Sequence, residues 1–144
     1  MGAQLYFEDV AVGDTIPPIT ERVNTTQMFF FSAATYNGHR IHYDLPFAQS
    51  EGHPTVLVHG PLQSALMAKT LTNWIGPRGR LLRLRAQNRT SAYPDEDLIF
   101  TGRVTAKRQE DGRNIVECEV WEEKADGQVI MPGTADVHLP KRSE

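Results

Sequence analysis

The chain has 144 residues, 40% of them hydrophobic and 23% charged, which suits one domain with its own core and excludes a disordered chain. Its net charge of -3, with the basic residues scattered, argues against a nucleic-acid binder. A single cysteine, Cys118, excludes an intrachain disulfide and a cysteine metal cluster, and no apolar run reaches the length of a membrane span.

Phe7 to Asp14 reads as an opening turn, and Pro17-Pro18 forbids continuous helix before Ile19. Ile19 to Asn24 suits a short strand. Thr25 or Thr26 is a candidate N-cap, with helix predicted over Gln27 to Tyr36. Phe29, Ala33 and Tyr36 share one face, flanked by Met28 and Phe30, so this helix is expected to pack on a broad apolar surface. It should stop at Asn37-Gly38, which accepts a left-handed turn. Residues 38 to 57 are polar and contain Gly and Pro, which suggests a long excursion of functional kind. Gly60 to Ile75 is the strongest helix signal: Leu62, Leu66 and Leu71 with Ala65 and Met67 form a wide apolar face, and Gly76-Pro77 ends it.

Everything after Gly79 reads as strand. Leu82, Leu84 and Ala86 alternate with Arg83, Arg85 and Gln87. Phe100, Gly102 and Val104 alternate with Thr101, Arg103 and Thr105. Val116, Cys118 and Val120 alternate with Glu117, Glu119 and Trp121, which makes Cys118 a small buried hydrophobe. Val129, Met131, Gly133, Ala135 and Val137 alternate with Ile130, Pro132, Thr134 and Asp136. Such alternation means antiparallel strands with one wet face, joined at Asp111-Gly112 and Asp126-Gly127. The helix and the one-face-apolar strands must bury their apolar faces together. The predicted fold is therefore α+β: one domain over residues 1–144, with a curved antiparallel sheet wrapped around helix 60–75. That is the hot-dog fold.

Chemistry concentrates in two places. Asn37, His39, His42 and Asp44 lie within eight positions, and His59-Gly60-Pro61 opens the central helix a short loop later. Proton-moving side chains beside a helix N-terminus suit reactions next to a carbonyl, because free N–H groups and the helix dipole favour an anion. Gly60 allows close approach to its backbone, and Pro61 loses nothing in the first helical turn. Plainer readings stand beside these. Asn37 can serve as a left-handed helix end, His39 as a polar loop tip and Asp44 as the cap of a short turn through Gln49. Tyr43 and His59 can simply pack. His53 and His138 read as ordinary surface or half-buried residues. No glutamate completes a zinc-type pattern with His39 and His42, and no glycine-rich nucleotide loop follows a strand. No metal and no bound cofactor is expected.

The run Tyr36-Asn37-Gly38-His39-Arg40-Ile41-His42, with His59-Gly60 after it, resembles the active-site loop and helix start of the MaoC-like hot-dog hydratases and dehydratases, which include the (R)-specific enoyl-CoA hydratases. That family carries Gly-Asp-x-Asn-Pro-x-His and then His-Gly. The resemblance implies that His42 is an acid/base and that the Gly60 amide helps hold a thioester oxygen. Asn37 stands where the family has a catalytic aspartate. It cannot take a proton, so it is expected to anchor a water. Asparagine here is similar to a branch typified by mesaconyl-CoA-type hydratases and mitochondrial-type 3-hydroxyacyl-thioester dehydratases.

The implied substrate is an enoyl or 3-hydroxyacyl thioester of CoA or an acyl-carrier protein. His39, Tyr43, Asp44, His59, Pro61, Arg83 and Arg85 are expected around it. Arg83, Arg85 and Arg89 fall on one face of a predicted strand, as a solvated face, a subunit interface or a rim for CoA phosphates. The resemblance further implies a homodimer or higher oligomer with a continuous sheet, or a hetero-oligomer with a second hot-dog subunit. The expected location is cytoplasmic, since a single cysteine fits a reducing compartment, and the N-terminus does not read as a secretory signal. Two other functions stay open. One is an acyl-CoA thioesterase, disfavoured because no Asp or Glu lies between Gly60 and Ile75. The other is a non-catalytic subunit that completes a partner's site.

Overall fold

Alternating strands and one apolar helix assemble as expected. The structure is a computed structural model that describes residues 3–143; Met1, Gly2 and Glu144, at the ends of the expected domain, lie outside the described residues. Strands β1 (Thr15–Arg22), β2 (Arg80–Ala86), β3 (Asp97–Glu110), β4 (Arg113–Lys124) and β5 (Val129–His138) form an antiparallel sheet in the order β1-β3-β4-β5-β2. Helices α1 (Thr25–Thr35), α2 (Leu45–Ser50) and α3 (Gly60–Ile75) complete the fold, with 3-10 turns at Phe7–Asp9 and Arg40–His42. The sheet curls around α3 in the hot-dog arrangement. Leu62, Leu66, Met67, Leu71 and Ile75 of α3 meet Leu98, Phe100 and Val104 of β3 and Val116, Cys118 and Val120 of β4 in one core. Removal of these side chains from water drives the wrapping, at roughly 1.5–3 kcal/mol for each large one.

The Asp111-Gly112 turn is as predicted. Both residues have positive φ (50° and 73°), as a tight two-residue hairpin between β3 and β4 requires. No helix among the described residues is long and apolar enough to cross a membrane.

Several boundaries and faces differ from the sequence expectation. β1 starts at Thr15 and ends at Arg22, so it includes Pro17-Pro18. It tolerates them because it is an edge strand with a register shift between Ile16 and Ile19, where missing N–H groups cost no pairing. The cap of α1 is Asn24, not Thr25 or Thr26: its Oδ1 accepts from the Gln27 N–H at 2.8 Å. The helix closes at Tyr36 (φ 54°), one residue before the predicted Asn37-Gly38 stop. Its face is also rotated. Met28 is buried and Phe31 packs on the core, whereas Phe29 and Phe30 are 62% and 65% exposed.

A register shift between Leu81 and Arg83 turns Leu81 and Leu84 to the core and leaves Leu82 and Ala86 outside. A second shift, at Glu122/Glu123, buries Ile130 along with Met131 and exposes Val129. On α3, Ala65 faces solvent while Gln63 and Thr70 are buried. The excursion over residues 38–57 contains a 3-10 turn and α2, and the segment 87–96 is loop rather than strand.

Candidate active site

His42 and Gly60 line one cleft of about 340 Å3, together with Ile41, Leu57, Val58, Gln63, Asn88, Arg89, Thr90 and Ser91. The 3-10 turn at Arg40–His42 places the imidazole, and the backbone beyond it fixes the ring. His42 Nδ1 donates to the Leu57 carbonyl at 2.8 Å, and the Leu57 N–H returns a bond to the Ile41 carbonyl at 3.0 Å. A carbonyl only accepts, so in the neutral ring the proton sits on Nδ1 and the Nε2 lone pair is free. Burial pulls the His42 pKa below its usual 6.5. The Leu57 carbonyl opposes that shift, and the neighbouring His39 adds to it. At neutral pH this side chain is a base.

His59 backs His42. The two rings stack with centroids 3.8 Å apart and 21° between planes. His59 is fully buried, one nitrogen (Nε2) shares a 2.7 Å hydrogen bond with Ser32 Oγ, and its Nδ1 has no partner among the described residues. Phe31 meets it edge-on at 5.0 Å. Burial, with the His42 charge second, pushes the His59 pKa down to about 4, so it stays neutral. This corrects the expectation that His59 contacts substrate: it is a buried support for the ring that faces the cleft.

Gly60 is the first residue of α3, so its N–H has no acceptor within the helix and lies at the positive end of the dipole. A side chain is impossible without movement here, because a Cβ on Gly60 would come within 2.9 Å of Asn88 Oδ1. Pro61 follows in the first turn and is exposed.

The remaining expected residues scatter. Asn37 does not line this cleft. It borders a second, mostly apolar groove with Phe29, Ser32, Ala33, Tyr36, Gly38 and Tyr43, and its Oδ1 accepts from the His39 N–H at 3.3 Å. Tyr43 closes that groove by donating its hydroxyl to the Gly38 carbonyl at 2.9 Å. His39 caps the 3-10 turn, its Nδ1 accepting from the Ile41 N–H at 3.3 Å. Asp44 is the N-cap of α2: Oδ1 accepts from the Phe47 N–H at 3.1 Å and Oδ2 from Arg40 at 2.7 Å. Arg40 holds its carboxyl below the usual range, so Asp44 is an ionised cap and not a proton donor.

The basic face is divided too. Arg83 pairs with Asp136 at 2.8 Å. Arg85 and Arg89 border a neighbouring cleft with Gln87, Gly133 and Thr134, and Arg89 also reaches the His42 cleft. Arg89 lies in the loop past β2, not on the strand. No cluster of three His, Cys, Asp or Glu side chains that could hold a metal occurs among the described residues.

Sequence reasoning missed Ser32, Gln63, Asn88, Thr90 and Ser91 around the cleft, and it singled out Arg89 but placed it on a strand. One signal was available: Gln63 sits among the buried positions of α3, where a polar side chain needs a partner.

Residues 13–92, more than half of the chain, match the family described as hydroxyacyl-thioester dehydratase type 2. The chain belongs to that family. One curated relative is the mesaconyl-C(4)-CoA hydratase of Chloroflexus aurantiacus, 46% identical in an alignment of 59 residues that covers 36% of this chain. The match spans only 21% of that relative's length. Among solved structures, the (R)-hydratase of A. caviae involved in PHA biosynthesis superposes with a TM-score of 0.83 at 21% identity, covering 92% of this chain and 99% of that one. The R-hydratase PhaJ1 of Pseudomonas aeruginosa gives 0.86 at 18%, covering 96% and 88%. The ChsH1-ChsH2 complex of Mycobacterium tuberculosis gives 0.78 at 21%, covering 90% and 98%. These likenesses establish the hot-dog fold.

Proposed function

We propose that this type 2 dehydratase family member reversibly hydrates an enoyl thioester, the reverse reaction being dehydration of the 3-hydroxyacyl thioester. The observation that carries the reading is that His42 and Gly60, the first residue of α3, line one cleft. His42 Nε2 takes a proton from a bound water as the water oxygen bonds to the β-carbon. The double-bond electrons move toward the carbonyl, and charge gathers on the thioester oxygen at the Gly60 N–H. His42 then returns its proton to the α-carbon on the same face, and the enolate collapses to the 3-hydroxyacyl product.

Asn37 borders the neighbouring groove with its oxygen engaged by the His39 N–H, so the step is assigned to His42 and Gly60 without a hold on the water from Asn37. Arg85 and Arg89, rather than Arg83, are the side chains suited to CoA phosphates. Among the described residues neither has an ion-pair partner, whereas Arg83 is tied to Asp136. The Chloroflexus relative is a mesaconyl-C(4)-CoA hydratase, which agrees with this reading.

The test is turnover of crotonyl-CoA, followed by loss of the enoyl absorbance. His42→Ala should lose about 100-fold or more in kcat. Retention of most activity removes the assignment.

A second reading has its own support. Phe29 and Phe30 are exposed on α1, and the β2 edge of the sheet is open. One of the similar solved structures, ChsH1-ChsH2 of Mycobacterium tuberculosis, is a complex. In that reading the chain supplies half of a site shared with a second hot-dog subunit. A purified chain that binds crotonyl-CoA without turning it over, and gains turnover only with such a subunit, would favour it.

A further inference from the structure

Three groups beside Gly60 form a chain whose polarity is set at one end by the backbone. The Val58 carbonyl can only accept a hydrogen bond, so Gln63 must turn its Nε2 toward it, at 3.2 Å. That orientation leaves Gln63 Oε1 facing Asn88, which must then present Nδ2, at 3.1 Å. Gln63 is buried, so the order cannot be reversed by exchange with solvent. The last member, Asn88 Oδ1, is thereby aimed at Gly60, within 2.9 Å of where a Cβ would stand. Among the described residues no protein donor reaches this oxygen, and Asn88 lies on the exposed wall of the His42 cleft.

We propose that Asn88 Oδ1 is an acceptor subsite for a substrate amide N–H, so that the cleft recognises an N-acylated aminoethanethiol arm beside the thioester. The Gly60 N–H offers a donor and Asn88 Oδ1 an acceptor next to it. A thioester of this class carries the matching pair: the carbonyl oxygen, then sulfur, a two-carbon arm and a secondary amide N–H. A plain alkyl thioester offers nothing to the acceptor and leaves it desolvated without a partner. The inference rests on the thioester reading of the cleft and deepens it. CoA and carrier-protein thioesters both end in this arm.

Calorimetric binding tests it without requiring turnover. The ligands are the saturated S-butyryl-N-acetylcysteamine and its N-methyl amide analogue, which cannot donate. Wild-type protein should bind the N–H compound about tenfold more tightly. In Asn88→Ala, a change at an exposed loop position, the preference should shrink below about twofold. Equal binding of both compounds to the wild type overturns the subsite and leaves the hydratase reading standing. Persistence of the preference in Asn88→Ala also overturns it, because the discrimination is then steric. Binding of neither compound overturns it as well, and turnover of crotonyl-CoA then shows whether the thioester reading falls too. Butyryl-CoA and a butyryl-carrier protein run alongside identify the source: whichever binds wild type must weaken in Asn88→Ala.

Discussion

His42 works through the position of one proton. With Nδ1–H committed to the Leu57 carbonyl and burial disfavouring the cation, its Nε2 stays basic to a lower pH than a free imidazole. The acid limb of the kcat/KM profile should therefore have its midpoint below 6.5, with activity lost as pH falls through the lowered pKa. A midpoint above 6.5 would show that another group controls the step. Stability should follow two other buried residues. His59 titrates at about 4 when folded against 6.5 when unfolded, so the unfolded chain binds the proton first and stability falls as pH drops through that window. Glu122 has the opposite sign. It is fully buried with both oxygens unpartnered among the described residues, and burial pushes its pKa up to about 8 from 4.5, Lys124 offsetting this only in part. The unfolded chain releases that proton first, so stability falls as pH rises from 4.5 through 8. Between pH 6.5 and 8 only Glu122 of the two contributes, and Glu122→Gln should flatten the fall in urea midpoint there. The burial of Glu122 was latent in the sequence, because it continues the inward series Val116, Cys118, Val120. Its charge points outward by residue type; its register turns it inward.

At the level of elements, local patterning placed α3 and the β3–β4 hairpin well, because a long apolar face and an Asp-Gly turn are strong short-range signals. It misplaced the buried face of α1. A run as apolar as Met28-Phe29-Phe30-Phe31 carries little periodicity of its own, so tertiary packing chooses which side is buried. Asn24→Ala removes the α1 cap and should cost about 1 kcal/mol, read as a drop of a few degrees in melting temperature. At the start of α3, Gly60→Ala would drive a Cβ toward Asn88 Oδ1. The expected loss in kcat is on the order of 10- to 100-fold, partly recovered in Gly60→Ala/Asn88→Ala because the obstructing oxygen is gone. No recovery in the double variant would mean that the clash is not the cause.

Seen as a whole, the sheet ends in two edges, and β2 leaves its outer backbone groups and Leu82 (38% exposed) uncovered. Self-association along this edge is the expected outcome in sedimentation experiments, and Leu82→Lys should shift the protein toward monomer. A wild-type monomer would direct attention to a partner of different sequence. Alternation and one long amphipathic helix were enough to determine the fold class, because each is a local property of the chain, whereas the pairing of His42 with Gly60, which line one cleft, was implied by the resemblance of their motifs to the hydratase loop and helix start. The tertiary structure alone decided that His59 is buried against Ser32, that Arg83 is spent on Asp136, and that Gln63 and Asn88 meet on the wall of the cleft. Those outcomes turn on which polar groups find partners across segments far apart in sequence, and no short window along the chain contains both members of such a pair.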